Sequence, residues 1–156
     1  MPVLDDVDIH LLDELQADAS RTLRELGDIV GLSPSAVQRR IGRYRDAGLV
    51  RVVAQIPVAQ VPTITQALIL LTLAEESPQH HRRVAQSLRQ SPVVQQGFTM
   101  SGRYDYAVIV SARSIRDVRD VSTRLFKTNP NIKRYDTMFL LDVIKQGSTI
   151  PARLLR

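Results

Sequence analysis

The sequence predicts an α+β chain in two parts: an N-terminal helix-turn-helix unit, winged-helix-like, and a C-terminal ferredoxin-like βαββαβ unit. Three observations predict it. Thr22 to Leu49 reads as two short capped helices joined by a tight turn. From Gln66 onward the signatures run strand, helix, strand, strand, helix, strand, the split β-α-β order. Between the two parts, Pro57 and Pro62 bracket a stretch without periodicity, as extended connectors do. The expected boundaries are 1–56 for the helical unit, 57–65 for the linker and 66–156 for the sheet unit.

Asp5 or Asp6 caps a first helix of about 13 residues with Leu4, Val7, Leu11, Leu12 and Leu15 on its stripe. Thr22 and Glu25 form a capping box for a second helix to Val30, striped by Leu23, Leu26, Ile29 and Val30. Gly31 stops it, because glycine takes the left-handed conformation cheaply. Ser33-Pro34 starts a third helix, with Val37, Ile41 and Tyr44 inward and Gly48 past its end. Leu49 to Ile56 is β-branched and reads as a wing strand or a short linker strand.

In the second part a strand runs from Gln66 to Ala74, and Ser77-Pro78 opens a helix to about Gln90 with Val84, Ala85 and Leu88 inward. Strands follow over Val93–Met100 and Tyr104–Ser111. Ser114 caps a further helix with Asp117 at the box position and Val118, Val121 and Leu125 on one side. Ile132 to Ile144 reads as a long closing strand. The runs ALILL, YAVIV and MFLL are nearly continuous in apolar residues, so both sheet faces are expected to be buried. Two helices cover only one face. The simplest cover for the other is a second copy of the sheet, giving a two-fold dimer.

Composition bounds the chemistry. There is no cysteine, which removes disulfides and thiolate chemistry. The acidic N-terminus lacks the apolar core of a signal peptide, and Ala67–Leu71 is too short to span a bilayer, so a cytoplasmic protein without membrane association is expected. The net charge is +5, yet residues 1–56 carry seven Arg against nine acids. Arg39, Arg40, Arg43, Arg45 and Arg51 cluster on and after the third helix, and this local asymmetry is the useful one for phosphate contact.

At about 100° per residue, Ser35, Gln38, Arg39, Gly42 and Arg43 point away from the Val37/Ile41/Tyr44 stripe, with no acid among them. That face suits a major groove, where Arg forks onto guanine and Gln onto adenine. The plain alternative is a helical hairpin with a solvated outer face.

Both halves resemble the Lrp/AsnC family of transcriptional regulators. The first half does so through LDDVDIHLLDELQADASRTLRELGDIVGLSPSAVQRRIGRYRDAGLV, the second through SGRYDYAVIV and RYDTMFLLDVIKQGSTIP. The resemblance implies a regulator of double-stranded DNA. It also implies a homodimer paired through its sheets, joined into tetramers or octamers, and a small effector, commonly an amino acid, bound between subunits. It places Ser33, Ser35, Gln38, Arg39 and Arg43 in the recognition stretch; on the wing reading of residues 49–56, Arg51 is expected near a phosphate. Arg40 is expected in a structural ion pair, with Glu25 as one partner, and Gly42 stands where relatives carry a polar residue.

The effector site is expected at the turn Gly102, Arg103, Tyr104 and Asp105. Gly102 exposes backbone amides to a carboxylate, Asp105 accepts an ammonium, and Asp136 and Thr137 contribute from a neighbouring subunit. In the alternative, Gly102 and Asp105 only shape the turn and Tyr106 packs in the core. Arg103, in place of a more usual acidic or polar residue, favours an acidic effector or closes the site.

No catalytic residue, metal site or cofactor is expected. His80 and His81 are adjacent on a helix, point apart and read as surface residues. No glycine-rich phosphate loop or Ser/His/Asp set is present. Two other readings stay open: an architectural DNA-compacting protein without effector, and a relative of the haem-pathway decarboxylases that share these two domains.

Overall fold

The computed structural model describes residues 3–156. The chain divides into two compact units, Met1–Ile56 with Gln146–Arg156, and Pro57–Lys145. The closing residues therefore fold with the helical unit, not with the sheet unit expected to run to 156.

The first unit holds α1 (Asp6–Ala17), α2 (Leu23–Val30) and α3 (Pro34–Asp46). Each start is fixed by a side chain. Asp5 and Asp8 form a reciprocal capping box on α1, at 2.7 and 3.0 Å. Thr22 and Glu25 do the same on α2, and Ser33 caps α3 ahead of Pro34. Such caps are each worth about 1 kcal/mol. Gly31 ends α2 with φ 72°, where a Cβ would be strained. Leu4, Leu11, Leu12, Leu26, Val37, Ile41 and Tyr44 close into one core, joined by Ala152 from the C-terminal segment. Ile29, expected on the stripe, is instead exposed.

Residues 49–56 form no strand. Val52, Val53 and Ile56 have strand propensity, but among the described residues no partner strand takes up their backbone groups. The expected wing is therefore coil. The segment Gly147–Arg156, expected within the sheet unit, packs on α1. The Ala152 amide donates to Asp13 Oδ1 at 2.8 Å, and Gln16 exchanges two bonds of 2.9 Å with the backbone of Ile150.

The second unit holds β1 (Thr65–Leu73), α4 (Pro78–Gln90), β2 (Val94–Thr99), β3 (Tyr106–Ala112), α5 (Ile115–Ser122), a π-helical turn Thr123–Lys127 and β4 (Ile132–Phe139). The sheet is antiparallel in the order β2-β3-β1-β4. Ala67, Ile69, Leu71 and Leu73 alternate inward on β1 and meet Tyr106, Val108 and Val110 of β3 beneath Val84, Leu88, Val118, Val121 and Phe126 of the helices. β4 stops at Phe139, short of the expected Ile144. Its partner β1 begins at Thr65, and the last bond of the pair runs from the Leu140 amide to the Gln66 carbonyl. No helix among the described residues is long and apolar enough to cross a membrane.

The other face of the sheet is uncovered by any element of this unit. The register lines up Phe98, Ala107, Leu70 and Asp136 in one row and Gln96, Ile109, Leu68 and Met138 in the next. Phe98 is 53% exposed and Met138 43%. The continuous apolar runs are thus real, and within this unit only one face of the sheet is buried.

Candidate nucleic-acid interface and effector site

The face expected to read DNA lies on α3. Ser35, Gln38 and Arg39 are exposed, and among the described residues none of the three meets a carboxylate. Ser33 is also exposed, but its hydroxyl accepts from the Ala36 amide at 3.3 Å and meets Ser35 Oγ at 3.2 Å, so it serves the cap first. Arg51 lies exposed in the coil beyond α3, without the wing meant to hold it.

Arg43 stands differently from the sequence reading. Its Nη2 donates to both oxygens of Asp8 at 2.7 Å. The side chain is 46% exposed, so one side of the guanidinium is spent on Asp8 and the other faces solvent. Arg40 makes a structural ion pair as expected, but with Asp5 at 2.9 Å and Asp8 at 2.5 Å rather than with Glu25. Glu25 is occupied by the Thr22 capping box.

Asp8 is the hub that the sequence reading missed. Its side chain is 1% exposed and also accepts from Tyr44 Oη at 2.5 Å. Burial opposes its ionisation. The hydrogen bonds from Tyr44, the Asp5 amide and Arg40 outweigh that burial and hold the carboxyl well below the usual carboxylate range. The Asp8 bond in turn raises Arg40 further, while burial and Asp8 push the Tyr44 hydroxyl up. The signal was present: Asp8 falls on the Leu4/Leu11/Leu12 stripe, and an acid at a core position needs a cationic partner.

Gly27 was also missed. A Cβ there would lie 2.4 Å from the Leu32 carbonyl oxygen, so the turn between α2 and α3 closes against a bare backbone. At Gly42 a Cβ would meet nothing within 4 Å. No neighbouring atom among the described residues requires glycine there.

In the second unit the turn Ser101–Asp105 splits into two roles. Gly102 has φ 128°. The Asp105 carboxylate accepts from the Leu73 amide at 2.7 Å, and its own amide donates to the Leu71 carbonyl at 2.8 Å. Asp105 therefore ties the turn to β1 through one of its carboxylate oxygens. Tyr106 is buried, with burial and the Asp105 charge raising its hydroxyl pKa, and it meets His81 Nδ1 at 2.5 Å. His81 is thus half-buried and partnered, not a free surface residue.

Arg103 and Tyr104 turn toward Asp136. Tyr104 Oη donates to Asp136 Oδ2 at 2.9 Å, Arg134 Nε donates to Oδ1 at 3.0 Å, and the Arg103 guanidinium stacks 5.5 Å from the Tyr104 ring centre. Arg134, then Tyr104, lowers the Asp136 pKa. Two cations thus flank one carboxylate, leaving the cluster positive. Thr137 is not part of it. It pairs with Ile69 on the helix-covered face, whereas Asp136 pairs with Leu70 on the open one. Adjacent strand residues point to opposite faces, so the two cannot serve one pocket from one subunit. Among the described residues no group of three His, Asp or Glu is placed to hold a metal.

Comparison with known proteins agrees with this architecture. Residues 4–45 match the AsnC-type helix-turn-helix domain and residues 66–150 the Lrp/AsnC ligand binding domain. The chain is 31% identical to an HTH-type transcriptional regulator of Sinorhizobium fredii, over 97% of this chain and 90% of the relative. It is 30% identical to the transcriptional regulator LrpA of Mycobacterium tuberculosis, over 95% and 97%. Among solved structures, a transcriptional regulator of Neisseria meningitidis in complex with L-Met superposes with a TM-score of 0.88 at 26% identity, covering 99% of this chain and 100% of that one. An AsnC family regulator of Agrobacterium tumefaciens gives 0.89 at 25% identity, covering 98% and 100%. With capped recognition helix, four-stranded sheet and both domain models in place, the chain belongs to the Lrp/AsnC family and is a helix-turn-helix DNA-binding transcriptional regulator with a ligand-binding domain.

Proposed function

We propose that two copies of the chain pair through their open sheet faces, and that the pair places two α3 helices in successive major grooves of one operator. The apolar rows Phe98–Ala107–Leu70 and Ile109–Leu68–Met138 supply the pairing surface. A two-fold pair gives what a helix-turn-helix protein needs, two readers one helical turn apart. Tetramers or octamers built from such pairs would bend or wrap the DNA, in the cytoplasm. The observation that carries the reading is the acid-free, solvent-facing Ser35/Gln38/Arg39 surface on a helix held rigidly by Asp8.

The effector is an amino acid or a close analogue, bound where Arg103, Tyr104, Asp136 and Arg134 meet at the margin of the pairing face. A related regulator bound to L-Met supports an amino-acid ligand. The two arginines favour one with an acidic side chain. Asp136 takes the ammonium group, and Asp105 holds the turn from behind. Only a ligand that binds one assembly better than another shifts the equilibrium. The test is calorimetric titration with a panel of amino acids, followed by gel shifts on the DNA upstream of this protein's own coding region. Heat from Asp or Glu and a shifted DNA complex support the reading. Absence of heat from every acidic amino acid overturns the acidic-effector assignment.

A further inference from the structure

The positive charge of this regulator sits on the wrong unit for a protein whose DNA contacts end at the helix-turn-helix. Met1–Ile56 with Gln146–Arg156 carries nine Arg and nine acids, a net charge of zero. Pro57–Lys145 carries twelve Lys and Arg against seven acids and holds the whole surplus of five.

Most of that charge lies on the helix layer, away from the open sheet face. Arg82, Arg83 and Arg89 on α4, Arg113 and Arg116 at the start of α5, Arg119 within it, and Arg124 and Lys127 on the π-helical turn are all exposed. Among the described residues none of the eight lies within ion-pair distance of a carboxylate. Helices α4 and α5 and the π-helical turn hold two acids, Asp117 and Asp120, and Asp117 accepts from Ser114 Oγ at 2.9 Å. Seven of the eight cations are arginine. Eighteen of the chain's twenty-one cationic residues are arginine, so that proportion is the chain's own, and the density of cations without a carboxylate partner, not their type, marks this face for phosphate.

A groove of about 470 Å³ runs between the C-terminal half of α4 and the π-helical turn. Arg83 and Arg124 stand in its walls with Gln86, Ser87, Gln90 and Ser91, and no carboxylate lines it. Two cations, two hydroxyls and two amides without an acid form a lining for an anion. The groove is open, and Pro92 and Leu125 complete its lining beside these polar groups.

We infer that the outer face of the α4/α5 layer is a second DNA-contacting surface, which binds the phosphate backbone of flanking duplex without reading its sequence, with Arg83 and Arg124 receiving phosphates in the groove. Duplex DNA is the favoured polyanion because the helix-turn-helix already brings it to the same chain. Tethering makes the second contact effectively intramolecular, so weak individual bonds suffice. The inference rests on the family's DNA binding but not on the effector site proposed above.

The test compares the full-length protein with a variant carrying Arg83→Gln, Arg116→Gln and Arg124→Gln, and with the matching triple Lys variant. Binding to a random-sequence duplex of about 150 base pairs is measured over a range of KCl concentrations. Each phosphate contact contributes about 0.9 to the slope of log K against log salt. The Gln variant should lose roughly two to three units of slope per protomer, and the Lys variant should recover most of them. An Arg39→Ala control measured on an operator duplex separates the two surfaces: loss of operator affinity there, with a parental slope in the triple Gln variant, leaves base reading intact and overturns the second surface. A slope that falls in the Gln variant and is not restored by Lys also overturns it. So does protection against heat by inorganic phosphate at constant ionic strength with an unchanged DNA slope, since the groove would then hold a small anion.

Discussion

Asp8 grips Arg43 through both carboxylate oxygens at 2.7 Å, from a helix 35 residues earlier in the chain. The contact ties the far side of the recognition helix to α1, and Arg40 and Tyr44 share the same acceptor. The angle at which α3 is presented therefore depends on one buried carboxylate. Asp8→Asn leaves two guanidinium groups and a buried hydroxyl short of their acceptor. It should lower the stability of the helical unit by roughly 3 kcal/mol, as breaking a buried pair does.

The same carboxylate gives a pH signature. Its folded pKa is depressed, so its contribution is complete above the ordinary Asp value near 4 and is lost as pH falls below that. Acid titration followed by circular dichroism should show the parent losing stability below about pH 4, with Asp8→Asn less stable at neutrality and flatter in acid. An acid limb of equal steepness in both proteins would place the sensitivity elsewhere.

Arg39 and Arg43 should separate. Arg39 is free and exposed, so Arg39→Ala is expected to cost about 1–3 kcal/mol at one base position and to relax specificity there. Arg43→Ala should weaken all duplexes alike, through loss of helix anchoring and phosphate contact. Affinities for an operator and its single-base variants distinguish the two. A base-specific loss at Arg43 would mean that DNA pulls it away from Asp8.

The two helix-interior glycines of the DNA-binding unit should respond with opposite sign. Gly27→Ala drives a methyl against the Leu32 carbonyl and should destabilise by about 1–3 kcal/mol. Gly42→Ala meets open space and should stabilise by up to about 1 kcal/mol through helix propensity. If Gly42→Ala also weakens DNA binding while raising the melting temperature, the glycine is there for close approach to the duplex.

Removing Gly147–Arg156 should loosen α1. The deletion takes away the bonds from Ala152 to Asp13 and between Ile150 and Gln16, together with buried Ala152. Hydrogen exchange should report a loss of about 2 kcal/mol in α1 amide protection. Unchanged protection would show that the tail is a passive passenger.

What could be read from the sequence was local. The caps at Asp5, Thr22 and Ser33, the left-handed stop at Gly31 and the Val37/Ile41/Tyr44 stripe each depend on residues within one or two turns. What was missed depended on partners far along the chain. Arg40 was placed as structural by its helical position, yet Asp5 and Asp8 lie more than 30 residues away, and Glu25 was already spent on its cap. Leu49–Ile56 had the composition of a strand, but a strand also needs a neighbour. The end of β4 was set by where β1 begins, which no property of residues 140–144 records. At the effector site, Asp136 and Thr137 looked equivalent as neighbours, and only the register put them on opposite faces.

The most direct measurement is selection of bound duplexes from a random-sequence pool, run in parallel with the parent and with Arg39→Ala. The parent should enrich a two-fold symmetric motif with half-sites about one helical turn apart, and the variant should lose preference at one symmetric base pair while keeping the spacing. Enrichment of no motif by the parent, or of the same motif by both proteins, would contradict the claim that the exposed face of α3 reads bases.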